Sequence, residues 1–181
     1  MTGRAVRTRV LPRQRPRRGT ARPGRRHCVF CRLIREDSAQ WTARESEVCA
    51  FTPLNPLAPG HTLVIPTRHY TDVFSAPPDV LNASLALVRR VATAMRTVLG
   101  ATGVNILRAS GPGSEQSVPH LHFHVVPRRV DDGISTWPTS RSRHHLTGDA
   151  GARLAHALNR GQEPALEAEP DGPRPPFQPR A

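Results

Sequence analysis

Residues 120–126, His120-Leu121-His122-Phe123-His124-Val125-Val126, alternate imidazoles with large apolar side chains. A period of two belongs to a β-strand, whose successive side chains point to opposite faces. Read so, His120, His122 and His124 share one face, with roughly 6–7 Å between same-face neighbours. Leu121, Phe123 and Val125 face the other way and pack inward. One short segment thus makes both a core anchor and a row of titratable rings. Pro127 is expected to end it.

Working outward, Val48–Thr52 reads as a strand, and PLNPLAPG (53–60) as a loop punctuated by proline and glycine. His61–Ile65 is a second strand, stopped by Pro66. Ser75 is placed to cap a helix whose first turn holds Pro77, Pro78 and Asp79. Apolar residues then recur at Val80, Leu81, Leu85, Val88, Val91, Ala92, Met95, Val98 and Leu99, close to the helical period, and Gly100 closes the run. Val104–Leu107 opens another strand, and Ser110–Ser114 is a turn-rich loop. Upstream, RLIREDSAQW (32–41) supplies a short turn or helix. Strand, strand, long helix, strand, strand predicts an α+β fold with an antiparallel sheet.

The chain has 181 residues and a formal charge of +12, but the charge is uneven. Residues 1–27 hold ten arginines and no acid; the rest holds sixteen arginines against fourteen acids, a net of +2. All 26 basic residues are arginine, which reads as a codon bias more than as a selected code. Three segments follow: a disordered Arg-rich extension over 1–26, a folded domain over 27–160, and a disordered Pro-rich tail over 161–181. No apolar run has the length of a signal peptide or a membrane span. Three cysteines in such a chain argue for a reducing, cytoplasmic setting. Cys28 and Cys31 form a Cys-x-x-Cys knuckle suited to a metal, whereas Cys49, in VCAF, reads as a small buried thiol.

The segment GSEQSVPHLHFHVVPR (113–128) resembles the signature of the histidine triad superfamily of nucleotidyl hydrolases and transferases. NPLAPGHTLVIPTRHY (55–70) looks like that family's Asn-Pro-x-x-x-Gly-His-x-Leu-Val-x-Pro-x-x-His segment, and CVFCRLI (28–34) like its N-terminal Cys-x-x-Cys-x-Ile. The resemblance implies a sheet with one long and one short helix, and catalysis through a covalent intermediate at the α-phosphate of a nucleotide. His122 is the implied nucleophile, a role for which a neutral imidazole is chemically fit. His124 is implied to stabilise the phosphate and His61 to orient the row. Gln116 and Ser117 match residues that contact the phosphate and the leaving group. In zinc-bearing members the knuckle is completed at the positions of His69 and His120, so the implied structural Zn2+ site is Cys28, Cys31, His69 and His120. The resemblance also implies a homodimer.

The chain departs from the pattern at three positions. Pro53 stands where Asp or Asn grips the ribose, with Asn55 nearby as a partial substitute. Ala109 replaces an Asn or Gln, and Glu115 replaces a Gly beside the phosphate loop. A shifted substrate preference is the reading these changes favour. Two other classes of function compete with hydrolysis: a non-catalytic nucleotide-binding or zinc-stabilised interaction module, and a nucleic-acid-directed deadenylase using the arginine arm. The absence of an appended nucleic-acid domain counts against the last.

Overall fold

The computed structural model describes residues 27–160. The Arg-rich extension and the Pro-rich tail expected at 1–26 and 161–181 lie outside the described residues. The elements are α1 (Val29–Glu36), β1 (Trp41–Arg44), β2 (Val48–Phe51), β3 (Thr62–Pro66), α2 (Pro78–Leu99), β4 (Gly103–Leu107), β5 (Phe123–Arg128) and α3 (Ala150–Asn159). The five strands form one antiparallel sheet in the order β1-β2-β3-β5-β4. The expected α+β fold is the one observed. No described helix is long and apolar enough to cross a membrane.

The two faces of the sheet carry different loads. Val48, Ala50, Val64, Phe123 and Val125 pack with Leu87, Val88, Val91 and Met95 of α2 in the main core. Cys49, Phe51, Leu63 and Ile65 pack on the opposite face with Cys28, Phe30 and Cys31 of the α1 region. Register fixes His124 to this second face, because it pairs with Leu63. The alternation read from 120–126 therefore holds: Leu121, Phe123 and Val125 go to the α2 side and the imidazoles to the other.

Four local expectations need correction. The histidine strand begins at Phe123, not His120: the amide of Leu121 donates to Tyr70 O at 2.6 Å, which draws the preceding residues out of the ladder. Pro127 does not end the strand. Strand β3 pairs with β5 only as far as Val125, so the missing N–H of Pro127 falls where that side of β5 has no partner. Ser75 does not cap α2, whose N-cap is Pro77; its hydroxyl and amide instead close a turn with Asp72. Strand β1 was not expected. Its half-buried residues, Trp41 and Ala43, are split by a bulge, Trp41 going to the α1 side and Ala43 to the α2 side, so the four residues carry no period that a sequence pattern shows.

Gly60 has φ +91 and a Cβ there would lie 2.5 Å from Leu99 Cδ1. The 53–60 loop must pass close under the end of α2 to deliver His61, and only glycine allows that approach.

Candidate active site and metal centre

Two histidine assemblies occupy the second face. In the first, Cys28 and Cys31 come from the start of α1, His69 from the segment after β3, and His120 from the segment before β5. Cys28 Sγ lies 3.4 Å and Cys31 Sγ 3.6 Å from His120 Nδ1, and Cys31 Sγ lies 3.3 Å from His69 Nδ1. The four donor atoms all fall within 4.8 Å of one another. A tetrahedral ion with bonds of about 2.3 Å to sulfur and about 2.0 Å to nitrogen needs sulfur–nitrogen separations of about 3.5 Å. The donor set fits. His120 Nε2 donates to Pro66 O at 2.9 Å, which leaves Nδ1 as the lone-pair nitrogen facing the thiolates. His120 has no solvent exposure, and Cys28 and Cys31 are buried.

In the second assembly, His122 Nδ1 donates to the carbonyl of His120 at 2.6 Å. Its Nε2 therefore keeps a free lone pair at the tip of the ring. His124 stands beside it with ring centroids 5.1 Å apart, and His61 stacks on His124 at 5.2 Å. The proton positions in this row follow from bond accounting. The amide of Leu57 donates to His61 Nδ1 at 3.0 Å, so the His61 proton is on Nε2. That proton is given to His124 Nδ1 at 3.0 Å, so His124 carries its own proton outward on Nε2. The row thus presents one acceptor, His122 Nε2, and one donor, His124 Nε2.

Burial keeps these rings neutral. Desolvation is the largest cause of lowering to about 4 for His61 and His122, and it also lowers His124. The charge of Arg108 adds to the lowering at His122 and His124. Phe30 separates the assemblies, meeting His120 and His122 edge-on with centroids at 5.7 and 5.4 Å.

The remaining expected residues are placed differently. Gln116 is half-buried, and its amide ties its loop to the segment after β3: Nε2 donates to Thr71 O at 2.6 Å and Val118 O at 2.9 Å, and Oε1 accepts from Gly111 N–H at 3.0 Å. Ser117 and Asn55 are exposed, as are His144 and His145. Cys49 is a buried thiol, its pKa pushed up to about 11 by burial. A cavity of about 450 Å³ lies away from the histidines, between α2 and Thr42, Ala43 and Thr62 on the other face. Sequence reading passed over Arg108, and with it the backbone partners Leu57 N–H and Pro66 O that set the tautomers. Nothing local in VNILR (104–108) marks that arginine as one sealed from water.

A fold and a site of this kind define a histidine triad protein, and the comparisons agree. The HIT domain family matches residues 35–131, and the chain belongs to that family. It is 33% identical over 119 residues to an adenylylsulfatase of Arabidopsis thaliana, a match covering 65% of this chain and 59% of that protein. It is 30% identical over 134 residues to an adenosine 5'-monophosphoramidase of Saccharomyces cerevisiae, covering 72% of this chain and 82% of the relative. Among solved structures, a zinc-bound histidine triad family protein of Mycobacterium smegmatis is similar with a TM-score of 0.59 and 36% identity, over 62% of this chain and 83% of that one.

Proposed function

We propose that the protein is a zinc-containing hydrolase that cleaves a nucleotide phosphoanhydride or phosphoramidate at the α-phosphate through a covalent nucleotidyl-His122 intermediate. The observation that carries this reading is the bond from His122 Nδ1 to the carbonyl of His120, which leaves Nε2 free on a ring held neutral. The Nε2 lone pair attacks phosphorus, and the leaving group departs with the electrons of its bond. Water then attacks the same phosphorus; the P–N bond breaks, its electrons return to Nε2, and the water proton passes to solvent or product. His124 donates from Nε2 to a phosphate oxygen, and His61 fixes the orientation of that donor. Ser117 and Asn55 are assigned to contacts with the leaving group and the ribose. Gln116 holds the 111–118 loop by its amide and approaches the phosphate through that loop.

The metal is assigned as zinc, held by Cys28, Cys31, His69 and His120. Two thiolates and two imidazoles close the site to water and suit a structural ion, which ties α1 to the segment carrying His122. The reading includes a homodimer, supported by the open edge of β4 and by exposed Leu85, Val98 and Ile106. It includes a cytoplasmic setting, supported by three cysteines without disulfides.

The test is a panel of α-phosphate-labelled nucleotides (a phosphoramidate, an adenylyl sulfate, a dinucleoside polyphosphate) with product release followed on the millisecond scale. A burst of leaving group equal to enzyme, with acid-labile label trapped on His122, is expected. Turnover with no label ever on protein sinks the covalent route. Tight nucleotide binding with no turnover of any substrate favours the binding-module reading instead.

A further inference from the structure

Arg108 follows directly on β4, whose last residue, Leu107, pairs with His124. The chain therefore delivers it to the end of the sheet where the histidine row stands. Its Nε, Nη1 and Nη2 are all shielded from solvent, and none has a hydrogen-bond partner among the described residues. Asp72 is near enough to act on it by charge, but none of the described ion pairs involves Arg108. The Asp72 carboxylate instead accepts the amide of Ser75 at 2.9 Å. A guanidinium has five N–H donors and cannot shed its charge. Buried with no donor satisfied, it is a cost that folding alone does not offset, and it points to a partner that arrives from outside.

The surroundings say what that partner is. By the bonds already described the row offers one acceptor, His122 Nε2, and one donor, His124 Nε2, so it supplies no cation of its own to an anion. Ala109, the next residue, has no side-chain donor, and both amide hydrogens of Gln116 are taken by backbone. An anion at the tip of His122 has no cation among these residues except Arg108. We propose that Arg108 is an anion-binding residue of this site, whose guanidinium takes the non-bridging oxygens of the phosphate attacked by His122. The planar fork suits two such oxygens, and it sits ready for charge that grows on them as the bond to the leaving group breaks. The nucleotide identity of the phosphate rests on the function proposed above; the anion site does not.

The test is Arg108→Met, which keeps bulk and removes charge, with Arg108→Lys as the conservative partner. Thermal melting in phosphate-free buffer, binding of adenosine 5'-monophosphate and of inorganic phosphate, and kcat/KM are measured on all three proteins. Arg108→Met is expected to melt at or above the parent, because an unpaired buried charge is gone. It should lose at least tenfold in affinity for the monophosphate and lose the rise in melting temperature that phosphate gives the parent. Arg108→Lys should recover part of both. A lower melting temperature for Arg108→Met in phosphate-free buffer, or unchanged affinity for both anions, overturns the inference. Equal nucleotide turnover in parent and Arg108→Met sinks this inference while the hydrolase reading stands. Phosphate binding lost in Arg108→Met, with a parent that turns over no nucleotide, sinks the hydrolase reading while this one stands.

Discussion

His120 and His122 are two residues apart, on one face, both buried, and chemically identical when unfolded, yet they end in different assemblies. Each gives one N–H to a backbone carbonyl, but from opposite nitrogens. His120 donates from Nε2 to Pro66, so its free lone pair is Nδ1, close to the main chain and facing the α1 cysteines. His122 donates from Nδ1 to His120, so its free lone pair is Nε2, at the far tip of the ring. A carbonyl oxygen therefore decides which histidine can hold a metal and which can reach a phosphorus. The first has no exposure at all; the second has 3% and stands beside a row open to His124.

The largest test of this comparison is a pair of mirror substitutions. His122→Asn keeps an N–H near the Nδ1 position and removes the tip nitrogen. It should retain metal and fold while losing about a thousandfold or more in kcat. His120→Gln keeps an N–H near Nε2 and removes the ligand nitrogen. It should lose stoichiometric zinc by elemental analysis, and its melting temperature should fall by on the order of 10 °C or more. If His120→Gln keeps its zinc, or His122→Asn keeps its turnover, the division of labour is wrong.

How much of that division was readable in advance differs between the two assemblies. The alternation at 120–126 carries the face of each ring, because a strand leaves side chains no other choice. It does not carry the tautomers, which depend on Pro66 O and Leu57 N–H, backbone groups any residue type would supply. The same limit applied to strand ends: Pro127 reads as a stop only if both edges of its strand are paired, and pairing is a tertiary fact. Resemblance brought Gln116 in as a phosphate contact, and it does not carry the engagement of its amide by Gly111 and Val118 of its own loop and by Thr71 of the segment after β3. Arg108 was missed because an arginine is ordinarily a solvated residue, and nothing local marks one whose nitrogens are sealed from water.

A middle-sized effect concerns acid. His61 is neutral in the fold, its pKa lowered from 6.5 to about 4, chiefly by desolvation and then by His124. The unfolded chain thus binds its proton first as pH falls. The stability tied to neutral His61 is complete above about pH 6.5 and is lost as pH falls toward 4. His61→Asn retains an oxygen that can accept the Leu57 amide and cannot titrate in this range. Melting temperature plotted from pH 7 to 4 should fall less steeply for this variant than for the parent, with zinc saturating. Parallel curves would mean that the open row is not where acid enters.

The smallest effect separates backbone strain from charge in the loop beside the row. Glu115 is exposed and has φ +61, a left-handed conformation that costs an ordinary residue about 1–2 kcal/mol. Gly111 and Gly113 in the same loop take similar angles without that penalty. Glu115→Gly removes the strain, but it gives the unfolded chain more freedom, which costs about 0.5–1 kcal/mol. The balance is a gain of about 0.5 kcal/mol, or a few degrees at most in melting temperature. Glu115→Gln keeps the strain and removes only the negative charge. Its melting temperature should match the parent. Both variants should lower KM for an anionic substrate by a few-fold at low salt, and the difference should fade as salt rises. A gain in stability shared by Gln would assign the effect to charge instead of backbone. A Gly variant less stable than the parent would mean that the left-handed turn is held by contacts of the Glu115 side chain.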